Sequence, residues 1–456
     1  MLVQFKFSNY KCFKDETVLN LTTSQKKNKE FYSIDTRFGY RVLRSLAVYG
    51  ANASGKSKLF KAFDFLKTLL TNAKDKDGEY IWKKEYDRFR LSTETKDKSS
   101  NFEIIFIIDD IQYRYGLELT KEQIYSEYLY IQEDEVEIEV FLRSSNKIIG
   151  KERLGKIGET LIERDMIKKD MPFLSALNEW NDEMAQKIFL WLKKAIVISG
   201  NKLPQIPARF INDNETKEFL IKFLNLFDIG IRNISMHEIS IDSLPEDIKR
   251  IIGEDNLEGK KVYDGLSSSH NIYDEHYSIV ESCPFHMETD ESLGTNRLLR
   301  LSIPLFFSSV VLIDEFDSSI HPNILKVLVC LFYRLNELNK QLIFTTHNSS
   351  LLSRKIDEEL LPNDEVVPAN DMDIDALLAN DNISFKHSKT KKQKLFIKDQ
   401  IYFVTKNRYG VSSLVPLTDF KNLKSDLEQL YLEGLLDGTP NIKYYEMSTL
   451  LSKENN

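Results

Sequence analysis

Cysteine is scarce. Cys12, Cys283 and Cys330 are the only three in 456 residues, odd in number and far apart, so they offer neither a disulfide framework nor a CxxC pair. No apolar run approaches the roughly 20 residues needed to cross a bilayer. The opening MLVQFKFSNYKCF alternates polar and apolar side chains where a secretion signal would carry an unbroken apolar core. Positive charge is not in excess either: a net charge of −8 argues against a protein coated in nucleic acid while leaving room for a local basic strip. Sustained heptads are missing, which excludes a long coiled coil. What remains is 42% hydrophobic and 29% charged, the composition of an ordinary globular protein. The length suits two or three structural units, and the expected location is the cytoplasm.

The chain changes character along its length. Val3, Phe5 and Phe7 alternate along a first strand, with residues 17–23 as its hairpin partner. SLAVYG (45–50) is a short buried strand, after which Leu59, Phe63, Leu66 and Leu70 recur at helical spacing. Residues 71–100 are polar and read as loop. From 102 to 144, β-rich runs separated by short polar turns predict an antiparallel meander. Between about 160 and 258 the pattern is helical, with MAQKIFLWLKKAIVI read as one amphipathic segment. Strand-like runs return at 309–313, 341–347 and 400–405, the first followed by a helix with Ile324, Leu328, Leu331, Leu335 and Leu338 on one face. The result is an α/β architecture with insertions. Residues 356–382 hold nine acids and no Lys or Arg, a solvated loop. Its DMDID lacks the glycine and terminal acid of a calcium loop.

Three stretches carry chemistry. GANASGKS (50–57) fits G-x-x-x-x-G-K-[ST] between a strand and a helix. Backbone N–H groups of Gly50, Asn52, Ala53, Ser54 and Gly55 would face a polyphosphate, Lys56 would reach its terminal phosphates, and Ser57 would hold Mg²⁺. SVVLIDEFD (309–317) drives four β-formers into a core and ends in acids, which repel one another unless a cation shares the spot. With a phosphate loop upstream, Asp314 is expected to serve Mg²⁺ and Glu315 to polarise an attacking water. His347, closing the strand LIFTTH, would point at the same phosphate. Ser292, Gly294 and Thr295 open an apolar helix just before the acidic strand, a second anion site that a second subunit's nucleotide would explain. His270, His276, Cys283 and His286 are zinc-capable but match no common spacing, and a β-hairpin accounts for them better.

This order of motifs resembles the ABC-type ATPase heads of transporters and SMC-like proteins. FSNYKCF, ESLGTNRLLRL, KDQIYFVTKNRYGVSSLVPLTDFK and YLEGLL further resemble the stand-alone bacterial ATPases of the RloA/AbiLi type, related to the overcoming-lysogenisation-defect proteins. Leu293 departs from the glycine of transporter signatures, and GLLDGTPNI departs from the expected tail. The resemblance implies an ABC/SMC-type P-loop head with an antiparallel β lobe. Its parts would be residues 1–150 (phosphate loop and β lobe), a helical insertion at 151–258, and residues 259–456 (signature, acidic strand, His strand and tail). ATP and Mg²⁺ are the implied cofactors, and Lys11 an implied further phosphate contact. The implied activity is ATP hydrolysis at sites shared by a dimer. The implied setting is abortive phage infection, the ATPase sensing a phage trigger and controlling a separately encoded nuclease or toxin effector. The alternative is a DNA-repair or chromosome-handling ATPase that grips DNA itself. A self-contained nuclease is disfavoured, because no metal-carboxylate set stands out.

Overall fold

A computed structural model describes residues 1–23, 29–145, 147–200, 203–241, 244, 246, 262–334, 339–353, 394–421 and 426–436. β1 (Leu2–Ser8) and β2 (Thr17–Asn20) form the first hairpin, β3 (Thr22–Thr23), β4 (Ser33–Asp35) and β5 (Arg41–Leu43) a small patch, and β6 (Ser45–Gly50) enters the phosphate loop. The meander follows as β7 (Ser100–Ile108), β8 (Ile111–Leu119), β9 (Ile124–Gln132), β10 (Glu137–Ser144) and β11 (Lys147–Gly150). Then come β12 (Ala195–Ile198), β13 (Asn233–Ile239), β14 (Val262–Tyr273), β15 (Ile279–His286), β16 (Val310–Ile313), β17 (Gln341–Thr345), β18 (Ile401–Lys406) and β19 (Ser412–Pro416).

Six strands make the central sheet in the order β12-β16-β17-β6-β18-β19. All neighbours run parallel except the β18–β19 pair. Because parallel sheets are covered on both faces, their strands read as continuous apolar runs, and β16 shows why. Val310 and Leu312 join one hydrophobic cluster, with the helix Lys56–Thr71 and the antiparallel lobe. Val311 and Ile313 join the other, with the helices Leu293–Phe307 and Pro322–Arg334. Each such side chain contributes about 1.5–3 kcal/mol when fully buried.

The lobe is a seven-stranded sheet, β11-β10-β9-β8-β7-β1-β2, antiparallel throughout. Gln341, fully buried at the start of β17, donates to Leu2 O and Leu43 O and accepts from Leu2 N. One amide thus fastens the first strand of the lobe to the central sheet. The chain adopts the expected α/β class, with the phosphate-loop strand in a mainly parallel sheet and an antiparallel β lobe beside it. The β17 strand separates the phosphate-loop strand from the acidic strand, and the lobe stands apart as a second sheet.

Two expectations differ from the structure. The segment 184–198 is not one helix: Glu183–Lys194 is helical, and Ala195–Ile198 is β12, the edge of the central sheet. No Gly or Pro separates the two, so the apolar pattern runs through the junction. The interval 151–258 is therefore not helical throughout, and it contains β13 as well. Residues 71–100 are not all loop, since Ile81–Glu85 forms a short helix that buries Trp82. Leu335, Leu338 and the acidic stretch 356–382 lie outside the described residues.

Candidate functional site

The phosphate loop owes its shape to two glycines. Gly50 at φ 158° and Gly55 at φ 120° adopt backbone that other residues rarely tolerate at Gly55, and neither has room for a side chain. A Cβ on Gly50 would lie 2.6 Å from Val404 O, and one on Gly55 would lie 2.8 Å from both Cys12 Sγ and Ser412 Oγ. Ser412 and Cys12 are thus the wall behind the loop, with Ser412 N donating to Cys12 O at 2.8 Å and its hydroxyl to Ser54 O at 2.5 Å. Asn52 and Ala53 are exposed at the tip, and Ser57 is half-buried in the first helical turn.

Lys56 is buried and donates to Gly50 O at 2.7 Å and Ala51 O at 3.1 Å. Burial pushes its proton affinity down, while Asp314, Asp317 and Glu315 pull it up. The Ser54 hydroxyl is buried with no hydrogen-bond partner among the described residues. An unpaired donor, a desolvated ammonium and a helix start with no side-chain cap are what a polyphosphate would satisfy. The residues fit a nucleotide with its cation.

Across the sheet, β16 ends at Ile313 and delivers Asp314, 3% exposed, whose amide donates to Ile198 O at 2.8 Å on the unforeseen strand β12. A single hydroxyl organises both acids: Thr345 donates to Asp314 Oδ1 at 2.7 Å and accepts from Glu315 N at 2.7 Å. Glu315 sits at φ 53°, a strained conformation outside glycine, and is exposed. Arg297, from the helix Leu293–Phe307, fixes the turn by donating to Glu315 O at 2.5 Å. Asp317 Oδ2 accepts from His347 N at 3.0 Å, while its Oδ1 is buried without a partner among the described residues. His347 therefore joins the acid cluster through its backbone. Burial, then Lys56, lowers its proton affinity against the opposing pull of Asp317, Glu315 and Asp314.

The structure brings together Lys56, Asp314, Glu315 and His347. Ser292, Gly294 and Thr295 form a separate helix start: Ser292 Oγ caps Thr295 N at 3.0 Å and bonds Thr295 Oγ1 at 2.8 Å. A Cβ on Gly294 would lie 3.0 Å from Ser319 O, so this helix start abuts the loop that follows the acids. Leu293 beside it is 75% exposed. Lys11, at φ 51°, pairs with Asp87 at 3.7 Å and feels the charges of Lys58 and Lys61, in a turn whose next residue, Cys12, backs Gly55. Of the zinc-capable set, His270 instead bonds Glu291 Oε1 at 2.6 Å, and the exposed His276 pairs loosely with Glu275. Sequence reasoning missed Thr345, Arg297, Asp317 and Ser412. Only Asp317 left a signal, as the third acid after β16.

The family described as "AAA domain, putative AbiEii toxin, Type IV TA system" matches residues 45–353. Among solved structures, the SMC head domain from Thermotoga maritima is 13% identical over 91% of this chain and 98% of its own, with a TM-score of 0.35. The Smc head domain with an extended coiled coil, bound to the C-terminal domain of ScpA and derived from Pyrococcus furiosus, is 12% identical over 95% and 99%, also at 0.35. At those values the fold assignment rests on the strand order above. No curated protein matches.

Proposed function

The chain belongs to the AAA domain family of the AbiEii-toxin kind, and from that premise we propose that it binds ATP with Mg²⁺ and hydrolyses it at sites shared between two copies. Thr345 carries the reading: its hydroxyl places Asp314 and Glu315 together at the end of the strand two places from the phosphate-loop strand. Asp314, with Ser57, would hold the cation, which neutralises charge on the phosphates when bound. Glu315, exposed beside it, would orient the attacking water and take its proton. Lys56 and His347 would contact the terminal phosphate.

The Ser292–Thr295 helix start keeps its side-chain hydrogen bonds to itself and sits under an exposed leucine. It would cap the nucleotide of a second copy. The family description and the RloA/AbiLi resemblance support a role as the regulatory ATPase of a bacterial anti-phage system that controls a separate toxin-type effector.

One experiment tests both halves. Glu315→Gln should keep ATP binding, lose about 10²–10⁴-fold in turnover, and accumulate as an ATP-dependent dimer. Leu293→Asp, placed in that background, should return it to monomer. It is a cleaner probe than a change at Gly294, where any Cβ meets Ser319 O. Near-normal turnover in Glu315→Gln would remove the catalytic assignment, and a dimer indifferent to Leu293→Asp would remove the shared site.

A further inference from the structure

Away from the nucleotide site, β13, β14 and β15 form a three-stranded sheet, and each contributes one metal-capable side chain to a single spot. His237 comes from β13, Asp264 from β14 and His286 from the end of β15, their ligand atoms all within 4.8 Å of one another. Sequence spacing gives no hint of this, because the three are 27 and 22 residues apart and meet only through strand pairing.

The local backbone is arranged for the meeting. Pairing of β13 with β14 slips between His237 and Glu238, so that Gly265 faces His237 and Tyr263 faces Glu238, leaving Asp264 as the extra residue of a bulge. Gly265 follows at φ 155°, and a Cβ there would lie 3.3 Å from His286 Nε2. The missing side chain is the space that the imidazole uses. His237 Nδ1 and Asp264 Oδ1 are 2.5 Å apart, His286 Nε2 is 3.8 Å from the same oxygen, and the two rings meet edge to face at 4.7 Å.

An ordinary histidine–aspartate hydrogen bond accounts for His237 and Asp264 but not for His286. Its Nε2 is buried and has no hydrogen-bond partner among the described residues. Its Nδ1 lies 3.3 Å from both Glu288 N and Thr289 Oγ1. Glu288 N donates to Nδ1, so the ring carries its proton on Nε2, facing Asp264; a cation bound at Nε2 would shift that proton to Nδ1, where the Thr289 hydroxyl can accept it.

We propose that His237, Asp264 and His286 bind a divalent cation of the borderline class, Zn²⁺ foremost. Two imidazoles and one carboxylate suit Zn²⁺, Co²⁺ or Ni²⁺ and discriminate against Mg²⁺, which prefers all-oxygen ligands such as those of Asp314 and Ser57. The ion would lock three strands whose exit leads straight into the Ser292 helix start. Met287, immediately after His286, donates to Leu266 O at 2.9 Å, and Glu291 is gripped by Ser268 and His270 of β14. The proposal stands without any reading of the nucleotide site.

The test is metal uptake by the full chain, with Co²⁺ followed by its visible absorption and Zn²⁺ by equilibrium dialysis in millimolar Mg²⁺. One ion per chain should bind, and His286→Ala and His237→Ala should each weaken it by about 100-fold. His276→Ala, on the hairpin turn with its side chain 81% exposed, should not change it. Circular dichroism confirms that each protein is folded. The proposal is overturned if the folded wild type takes up no stoichiometric ion, or if uptake survives both His286→Ala and His237→Ala unchanged.

Discussion

Glu127 in the β lobe and the Asp314–Glu315–Asp317 group in the central sheet are both acids at the edge of a hydrophobic core, and they are treated in opposite ways. The side chain of Glu127 is 0% exposed and that of its ion-pair partner Arg143 is 2% exposed. The carboxylate accepts from Phe173 N at 2.7 Å, Leu174 N at 3.0 Å and the Tyr115 hydroxyl at 2.9 Å. Arg143 spends its other donors on Met171 O, Lys168 O and Lys169 O. Every direction is filled, and the pair joins the meander to the start of the helix Phe173–Glu179.

The second group is left open. Asp317 Oδ1 is buried and has no partner among the described residues, Glu315 is exposed at a strained turn, and Lys56 and Arg297, which feel the charge of these acids, both have their proton affinity lowered by burial. A closed set of partners marks architecture, and an open one marks a place where something else must bind. Glu127→Ala breaks the comparison most severely if it is wrong. It would leave Arg143 as an uncompensated buried charge, which costs about 3–5 kcal/mol, read as a fall in the denaturant midpoint. ATP affinity of the folded protein should hold. A loss under about 1 kcal/mol would mean that the cage is not closed.

Thr345→Val sharpens the comparison from the other side. The substitution keeps the shape and removes the one hydroxyl that serves both acids. Glu315 N loses its acceptor, and unmade buried hydrogen bonds cost about 1–3 kcal/mol. Turnover should fall about 10-fold with ATP affinity little changed, and Thr345→Ser should restore most of it. An equal loss in the Ser variant would show that packing of the methyl group, not the hydroxyl, matters.

The contrast also explains what could be read from the sequence. A strand buried on both faces must be apolar at every position, so Val310–Ile313 was visible, and so were the acids that break it. Gly50 and Gly55 were visible because backbone crowding leaves no alternative there. β12 was hidden, since Ala195–Ile198 continues the apolar pattern of the preceding helix and its strand identity comes only from pairing with β16. Thr345, Arg297 and the Glu127 cage were hidden for a related reason: a threonine, an arginine and a glutamate look alike in any strand or helix until tertiary contact assigns their partners. The His237–Asp264–His286 cluster depends on a bulge, which has no local spelling beyond one glycine.

The smallest effect concerns protons. His347 can titrate. Its burial, reinforced by Lys56, moves its proton affinity below the ordinary value of 6.5 despite three nearby carboxylates. The sign follows from linkage. Below 6.5 the unfolded chain binds the proton more readily than the folded one, so His347 subtracts from stability as pH falls and ceases to do so above 6.5. At pH 7 the ring is neutral and can donate one N–H to a phosphate oxygen. The ATPase pH profile should therefore be flat between about 7 and 8.5 and decline only on the acid side. His347→Gln keeps a donor but cannot titrate, so it should remove the histidine part of that acid limb while lowering the plateau about two- to five-fold. An acid limb that His347→Gln leaves in place belongs to another group, and a wild-type limb centred above 6.5 would show that the carboxylates, not burial and Lys56, govern this histidine.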